Sequence, residues 1–190
     1  MNLKGTRTET NLMAAFAGES QARNRYTYFA GEAKKAGYEQ ISAIFAQTAD
    51  HEKEHAKQFY KSLEDGSVIE ITGSFPKILA DTAANLQEAA AGENFEWTTL
   101  YPGFAQVAHD EGFARVADLF RRVCVAEQQH EKRYLALLKN LREDRVFRKD
   151  APVVWFCRNC GYLHDGPWAP ELCPACAHPR AHFELLCENW

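Results

Sequence analysis

Long apolar runs are missing from this 190-residue sequence. Without a stretch of 18 apolar residues, the sequence predicts no transmembrane helix and no membrane partner. The N-terminal segment MNLKGTRTETNLMAAF lacks an apolar run followed by a cleavage site, so no secretory signal is predicted. These absences together predict a cytoplasmic protein whose thiols stay reduced.

A strong excess of one charge is missing as well. The chain has 22 basic and 26 acidic residues, a net charge of −4 and an isoelectric point of about 6.0. This balance argues against general nucleic-acid binding, so we expect no nucleic-acid partner. Hydrophobic residues make up 46% of the chain, which is enough for a sizeable core.

Cysteine is nearly absent until the last 34 residues, with Cys124 standing alone before them. The other cysteines are Cys157, Cys160, Cys173, Cys176 and Cys187. In a reducing compartment such a cluster predicts a metal site before a disulfide framework. Cys124 and Cys187 are surplus to the pairing described below, and we expect both to be buried or idle thiols.

Proline and glycine are sparse in the periodic stretches before about residue 145, where Ala, Glu, Gln and Lys are common. Breaks at Gly37, Asp65-Gly66 and Gly112 divide this region into four predicted helices, and Pro102 should kink the third. The predicted helices span about 6–36, 38–64, 79–111 and 113–144. The long connection between the second and third predicts an all-α, ferritin-like four-helix bundle with one crossover, over residues 1–147.

Residues 152–190 have a different composition, with four prolines and three tryptophans after Pro152 and no helical period. A segment this short cannot build a stable core alone, so a metal is expected to stabilise it. Cys157-x-x-Cys160 and Cys173-x-x-Cys176 are separated by twelve residues, which predicts a tetrahedral metal site. Their spacing leaves a structural zinc ribbon and a one-iron, rubredoxin-type centre equally open.

Each predicted helix carries a glutamate in the middle of its core-facing stripe. The four are Glu19, Glu52, Glu93 and Glu127. Arg23 and Tyr26 continue the first stripe, and the third continues through Trp97, Leu100, Phe104 and Val107. Burying four carboxylates costs several kcal/mol each unless they are paired or bound to metal. Two divalent metal ions would offset that charge.

Two of these glutamates are followed three residues later by a histidine, His55 after Glu52 and His130 after Glu127. The spacing places both side chains of each pair on one helix face. One Glu from each of two helices and a Glu-x-x-His from each of the others is the di-iron carboxylate pattern. Glu96, three residues after Glu93, has no symmetric counterpart and is either an extra ligand or a solvated side chain.

The segment HEKEH, residues 51–55, also matches the H-E-x-x-H motif of zinc proteases. A protease would need His51 and His55 as ligands and Glu52 as the base. However, Glu52 is central in the stripe, His51 lies about 100° away at its edge, and the fourth helix has Ala126 at the equivalent position. We therefore expect His51 to be a surface residue whose replacement leaves metal binding nearly intact, whereas replacement of Glu52 abolishes it.

Five segments resemble the motifs of rubrerythrins, and the resemblance extends across nearly the whole chain. They are ESQARNRY at 19–26, HEKEH, AGENFEW at 91–97, AEQQHEKRY at 126–134 and CGYLHDGPWAPELCPACAHPRAHFELL at 160–186. Related ferritin-like proteins lack the C-terminal module, so the combination is specific. The resemblance implies a di-iron bundle followed by a rubredoxin-like domain with one iron held by four cysteines.

The resemblance also implies a ligand set for two non-haem irons. Its members are Glu19, Glu52, Glu93, Glu96, Glu127 and His130. Glu52 and Glu127 would bridge the irons, and His55 would replace Glu96 on one iron when the site is reduced. Tyr26 would donate a hydrogen bond to the site, although from sequence alone it is equally a core tyrosine. A third iron, or zinc in its place, would be held by Cys157, Cys160, Cys173 and Cys176.

The activity implied by the resemblance is a peroxidase that reduces hydrogen peroxide to water and protects against oxidative stress. Electrons would reach the di-iron site through the four-cysteine iron centre from a rubredoxin or an NAD(P)H-dependent reductase. Roughly 20 Å of helix follows His130, so a head-to-tail homodimer, or a higher oligomer, would bring one chain's small domain to its partner's irons. A ferroxidase or iron-storage protein, a zinc-stabilised binding module and a peroxide or oxygen sensor remain alternatives.

Overall fold

The computed structural model describes residues 2–189, so positions 1 and 190 of the two predicted domains lie outside the described residues. It consists of a helical bundle followed by a small three-stranded sheet. The helices are α1 Arg7–Lys35, α2 Glu39–Lys61, α3 Thr82–Phe95, α4 Tyr101–Asp110 and α5 Ala114–Arg142. The strands are β1 Arg148–Cys157, β2 Leu163–Trp168 and β3 Phe183–Leu185. Among the described residues, no helix combines the length and the apolarity needed to cross a membrane.

The helices begin and end where local chemistry directs them. Thr6 Oγ1 accepts a hydrogen bond from the Glu9 N–H at 3.1 Å and caps α1, and Asp81 Oδ1 caps α3 by accepting from the Ala84 N–H at 2.8 Å. Gly37 and Gly112 have φ angles of +82° and +85°, a left-handed conformation that ends the preceding helix at little cost. The predicted breaks at these two glycines are confirmed.

The bundle consists of two helical hairpins joined by a long crossover. α1 packs along α2, and α5 packs along both α3 and α4. The chain between Lys61 and Thr82 contains no regular helix or strand. The predicted ferritin-like bundle with one crossover is therefore confirmed.

A π-helical turn, Glu96–Leu100, separates α3 from α4. The Tyr101 N–H bonds the carbonyl of Glu96, five residues back, so the turn contains one residue more than an α-helical turn. The irregularity lies ahead of Pro102, where the sequence predicts a kink.

The π turn changes which residues are buried. Each residue advances an α-helix by about 100°, so an extra residue rotates every later side chain by that amount. The fully buried positions after the turn are Tyr101, Ala105 and Ala108, whereas the predicted Leu100, Phe104 and Val107 are half-buried. On α1, the prediction that Arg23 faces the core is wrong, because Arg23 is exposed and its neighbour Ala22 is buried.

Two apolar clusters enclose the middle of the bundle. One surrounds Tyr26, Phe45 and Tyr134, and the other surrounds Phe59 and Phe120. The four mid-helix glutamates lie between them along the bundle axis, which keeps water away from their carboxylates.

The C-terminal sheet has the strand order β2-β1-β3, with both pairs antiparallel. Its core is small and contains Trp155, Phe183 and two of the cysteines, Cys157 and Cys173. Phe147 packs on this core and stacks on Tyr38 with ring centroids 6.0 Å apart. The sheet domain therefore docks at the end of the bundle where α1 turns into α2.

Candidate metal centres

The bundle brings six predicted site residues into one buried cluster. These residues form two groups, and within each group the ligand atoms all lie within 4.8 Å of one another. The first contains Glu19, Glu52, His55 and Glu127, and the second contains Glu52, Glu93, Glu127 and His130. Glu52 and Glu127 belong to both groups, which is the arrangement that two metal ions sharing bridging carboxylates would need.

The two histidines direct Nδ1 at the shared carboxylates. His55 Nδ1 lies 2.9 Å from Glu52 Oε2 and 2.9 Å from Glu127 Oε1. His130 Nδ1 lies 2.8 Å from Glu127 Oε2, 3.2 Å from Glu52 Oε1 and 3.6 Å from Glu93 Oε2. The i, i+3 spacing within each Glu-x-x-His unit produces this convergence from α2 and α5.

Many polar atoms of the cluster are buried without a well-directed hydrogen bond, even where a histidine nitrogen lies at contact distance. They are Glu19 Oε2, Glu52 Oε1, Glu93 Oε2, both carboxylate oxygens of Glu127 and His130 Nδ1. Unpaired buried acceptors are costly, and so many in one place indicate a missing common partner. Carboxylate and imidazole donors suit iron, so the residues fit a pair of iron ions.

Burial and mutual repulsion dominate the electrostatics of the cluster. Burial, and then repulsion from neighbouring carboxylates, raises the pKa values of Glu19, Glu93 and Glu96 well above their ordinary values. Burial also acts on Glu52, but contacts with His130 and His55 outweigh it and lower the pKa of Glu52 to about 2. Despite burial, the carboxylates raise the pKa of His55 to about 10 and that of His130 to about 12. The cluster therefore retains protons that a bound cation would replace.

Glu96 begins the π turn and lies at the edge of the cluster, outside both four-residue groups. It lines a cavity of about 430 Å³ between the crossover and α3. Gln21, Arg25 and Phe75 line the same cavity. The role of Glu96 as an additional ligand stays a prediction, but among the cluster carboxylates it is the one that borders this space.

Two tyrosines hold the outer carboxylates. Tyr26 Oη donates to Glu93 Oε1 at 2.6 Å, and Tyr101 Oη donates to Glu19 Oε1. In each case the other carboxylate oxygen is left without a partner and faces the cluster. The hydrogen bond of Tyr26 agrees with the predicted donor. The sequence does not predict Tyr101 at this position, because an uninterrupted α-helical period places Leu100 there instead.

His51 is not the surface residue that the sequence predicts. Its side chain is half-buried, and its Nδ1 lies 3.0 Å from Nε2 of His130, with the two rings stacked at 5.2 Å. Burial, and then the neighbouring His130 and Arg133, lowers the pKa of His51. Within residues 2–189, no metal-binding group includes His51, so the geometry of a zinc protease is not formed.

The four predicted cysteines form a separate group in the small domain, with all Sγ atoms within 4.8 Å of one another. Cys157 and Cys176 Sγ are 3.9 Å apart, and Cys160 and Cys173 Sγ are 3.6 Å apart. A tetrahedral metal with sulfur bonds of ~2.3 Å needs separations of about 3.8 Å, so the group fits one metal ion.

The two Cys-x-x-Cys turns share one backbone geometry. Gly161 and Ala177 both have positive φ angles, and their N–H groups bond the carbonyls of Cys157 and Cys173 at 2.8 Å. The backbone N–H of His178 is the main cause that lowers the pKa of Cys176 to about 6, which favours the thiolate needed to bind metal. Cys124 and Cys187 lie outside the group.

The fold and the two sites define a class: an iron protein with a di-iron carboxylate site in a ferritin-like bundle and a separate thiolate site in a rubredoxin-like domain. Family models agree in both parts. The model described as Rubrerythrin matches residues 10–138, and the one described as Rubrerythrin, rubredoxin-like domain, matches residues 155–184. The chain belongs to the rubrerythrin family.

Two relatives match the chain over its whole length. The chain is 58% identical to Rubrerythrin of Nitratidesulfovibrio vulgaris (strain Hildenborough) over 190 residues, which is 100% of this chain and 99% of that one. It is 56% identical to Rubrerythrin-1 of Clostridium acetobutylicum, again covering 100% of this chain and 99% of the relative.

Solved structures extend the similarity. A structure of nigerythrin in its fully reduced, all-ferrous state matches 97% of this chain and 91% of its own, at a TM-score of 0.64 and 32% identity. Bacterioferritin BfrA of Mycobacterium tuberculosis matches 72% of this chain and 86% of its own, at a TM-score of 0.64 and 15% identity. The latter shows the fold alone.

Proposed function

We propose that the protein is a non-haem di-iron peroxidase that reduces hydrogen peroxide to water. The observation that carries this proposal is the presence in one chain of a buried carboxylate–histidine cluster and a four-thiolate site. A cluster that only stored or oxidised iron would have no need of the second site. Protection against oxidative stress would follow from the removal of peroxide.

The reduction of one H2O2 to two H2O consumes two electrons and two protons. When bound, a pair of ferrous ions supplies the two electrons. We propose that Glu19, Glu52, Glu93, Glu127 and His130 hold these ions. Glu96 and His55 would serve as the ligands that exchange with oxidation state.

The chain's own residues orient the ligands and exclude water. The Tyr26 and Tyr101 hydroxyls each occupy one oxygen of an outer carboxylate and leave the other oxygen facing the cluster. Aromatic side chains on both sides of the cluster, including Phe45 and Phe120, keep the surroundings apolar. Interactions between the charged groups and a bound ion are stronger in such a medium.

Peroxide would enter by the cavity that Glu96 borders. Its volume of about 430 Å³ is ample for a molecule of two oxygen atoms. Gln21 and Arg25 supply hydrogen-bond donors on the way. Arg25 Nε is buried without a hydrogen-bond partner, whereas Nη1 is loosely paired at 3.5 Å with Glu88 Oε1, which lines the same cavity. A polar guest in the cavity would therefore find a free donor on Arg25.

Electrons would enter through the four-cysteine site from a rubredoxin or an NAD(P)H-dependent reductase. Within one chain, the small domain docks at the α1–α2 turn, and Glu52 lies thirteen positions after Glu39 on α2. That is roughly 20 Å along the helix, a long distance for one electron step. We propose a head-to-tail homodimer, or a higher oligomer, in which one chain's four-cysteine site serves its partner's cluster. If solution scattering showed a monomer, and that monomer had full peroxidase turnover, this assembly would be contradicted.

A ferroxidase or iron-handling protein is the second candidate. The carboxylate–histidine cluster of this chain lies in a fold that the chain shares with a bacterioferritin. Mixing the diferrous protein anaerobically with peroxide, and separately with dioxygen, distinguishes the two functions. A peroxidase reacts faster with peroxide, whereas a ferroxidase reacts faster with dioxygen. A sensor would react stoichiometrically and show little turnover with an electron donor.

The role of the four-cysteine site is tested by comparing Cys160→Ser with Cys187→Ser in the iron-loaded protein. Both variants exchange an exposed cysteine for serine, but only Cys160 belongs to the metal-binding group. We expect Cys160→Ser to lose the visible thiolate–iron absorption and steady-state peroxide reduction, and still to react once when reduced chemically. Cys187→Ser should behave as wild type, and equal turnover in the two variants would remove the relay from the proposal.

A further inference from the structure

The two histidines of the cluster are alike in sequence but not in their surroundings. Each follows a shared glutamate by three residues and directs Nδ1 at the carboxylates. His130 Nε2 lies 3.0 Å from His51 Nδ1. Within the described part of the chain, His55 Nε2 makes no hydrogen bond, although its side chain is only 16% exposed.

Metal binding determines the direction of the hydrogen bond between His51 and His130. If His130 binds a metal ion through Nδ1, its proton must be on Nε2, and that N–H donates to Nδ1 of His51. His51 then carries its own proton on Nε2. An acceptor for the distal N–H of a ligating histidine fixes both its tautomer and its ring orientation.

The pseudo-symmetry of the bundle explains why His55 lacks such a partner. His51 directly precedes Glu52 on α2 and reaches across to His130 on α5. The equivalent residue on α5, which directly precedes Glu127, is Ala126. Its methyl group cannot accept a hydrogen bond from His55. Ala126 and His51 are both half-buried, so the two positions are comparable in exposure.

We propose that His51 is a positioning residue that locks His130 as a fixed metal ligand, while alanine at the equivalent position leaves His55 free to turn. The two metal positions are therefore inequivalent because of one residue outside the ligand set. The inference concerns metal binding and stands or falls independently of peroxidase activity.

The first test compares His51→Leu with His51→Gln in the full-length protein with zinc in its four-cysteine site. Leucine approximates the bulk of the ring without an acceptor, whereas glutamine offers its carbonyl oxygen. Titration of the bundle with Co²⁺ alone, followed by visible absorption, should show one of two equivalents weakened by about 10- to 100-fold in His51→Leu. The other equivalent should be less affected, and His51→Gln should remain near wild type. Equal affinities in wild type and His51→Leu, or equal losses in both variants, would overturn the inference.

The second readout is spectroscopic and insensitive to a merely structural role. In the Co²⁺-loaded protein, the Nε2 proton of His130 should give a paramagnetically shifted NMR signal that exchanges slowly with solvent. That signal should persist in His51→Gln and be lost to rapid exchange in His51→Leu. If a folded His51→Leu protein retained the slowly exchanging signal, the proposal that His51 fixes His130 would be refuted.

A histidine placed at the equivalent position on α5 keeps the inference testable even if His51→Leu fails to fold. Ala126→His, with His51 unchanged, should provide the acceptor that His55 lacks. A second slowly exchanging N–H signal is then expected, together with tighter binding of the weaker Co²⁺ equivalent. A folded Ala126→His protein that shows neither change would overturn the proposal.

Discussion

Tyr101 on α4 donates its hydroxyl hydrogen bond to Glu19 on α1, across the interface of the two hairpins. Tyr26 on α1 makes the reciprocal bond to Glu93 on α3. Each hairpin therefore positions a carboxylate of the other, so a displacement of one hairpin would disturb the cluster directly.

Replacement of Tyr101 by phenylalanine should leave Glu19 Oε1 buried without a donor. We expect a loss of about 1–3 kcal/mol in the unfolding free energy of the metal-free protein. Metal affinity should fall by roughly tenfold or more. Urea unfolding and metal titration measure both, with Tyr28→Phe as the control because Tyr28 is 57% exposed. Matching losses in the two variants would show that the hydrogen bond is not the cause.

Deletion of Thr99 should convert the π turn into an α-helical turn. Tyr101 would then follow Glu93 by seven residues, as Tyr26 follows Glu19, so Tyr101 and Ala105 should stay on the core face. We expect metal binding in the bundle to persist and thermal stability to fall only slightly. Deletion of the exposed Glu70 in the crossover is the control, since no regular element surrounds it. A large loss of stability or of metal binding after deletion of Thr99, but not of Glu70, would show that the extra residue is required.

Replacement of Glu52 by glutamine should abolish the binding of both metal ions, because Glu52 belongs to both ligand groups. Glu54→Gln provides the matched control on the same helix, where the Glu54 carboxylate is exposed and pairs with Lys57. Iron content per chain after reconstitution gives the result. Full occupancy in Glu52→Gln would remove this residue from the ligand set.

The stability of the metal-free protein should fall as pH rises through neutrality. His55 and His130 have folded-state pKa values of about 10 and about 12, against 6.5 when unfolded, so their contribution is full below pH 6.5 and declines above it. The raised pKa values of Glu19 and Glu93 act in the same direction above their ordinary value of 4.5. Glu52, whose pKa is lowered to about 2, acts oppositely, but only in acid.

Metal binding releases these protons, so metal affinity should rise with pH. Calorimetry at pH 6 and pH 8.5 should show Tm of the chelated protein falling by roughly 5 °C or more, while the iron-loaded protein changes less. A gap between the two forms that narrows as pH rises would contradict the assigned protonation.

The spacing of Glu-x-x-His predicts the cluster from sequence because an α-helix converts a step of three residues into a shared face. The π turn escapes prediction, since EWTTL contains no residue that forces an extra backbone unit into the helix. Tyr101 is missed for the same reason. The contact between His51 and His130 depends on the rotation of α2 about its axis relative to α5, which a single helix's period does not determine.

The π turn also has a consequence for the history of the chain. Glu19 and Glu93 are 74 positions apart, whereas Tyr26 and Tyr101, and likewise Glu52 and Glu127, are 75 apart. A helical hairpin that was duplicated, and whose second copy then gained one residue after Glu93, would show these spacings. Ala22, the counterpart of Glu96, would keep the character of the unmodified copy. One inserted residue would then separate an ancestor with two equivalent halves from a protein in which the halves perform different tasks.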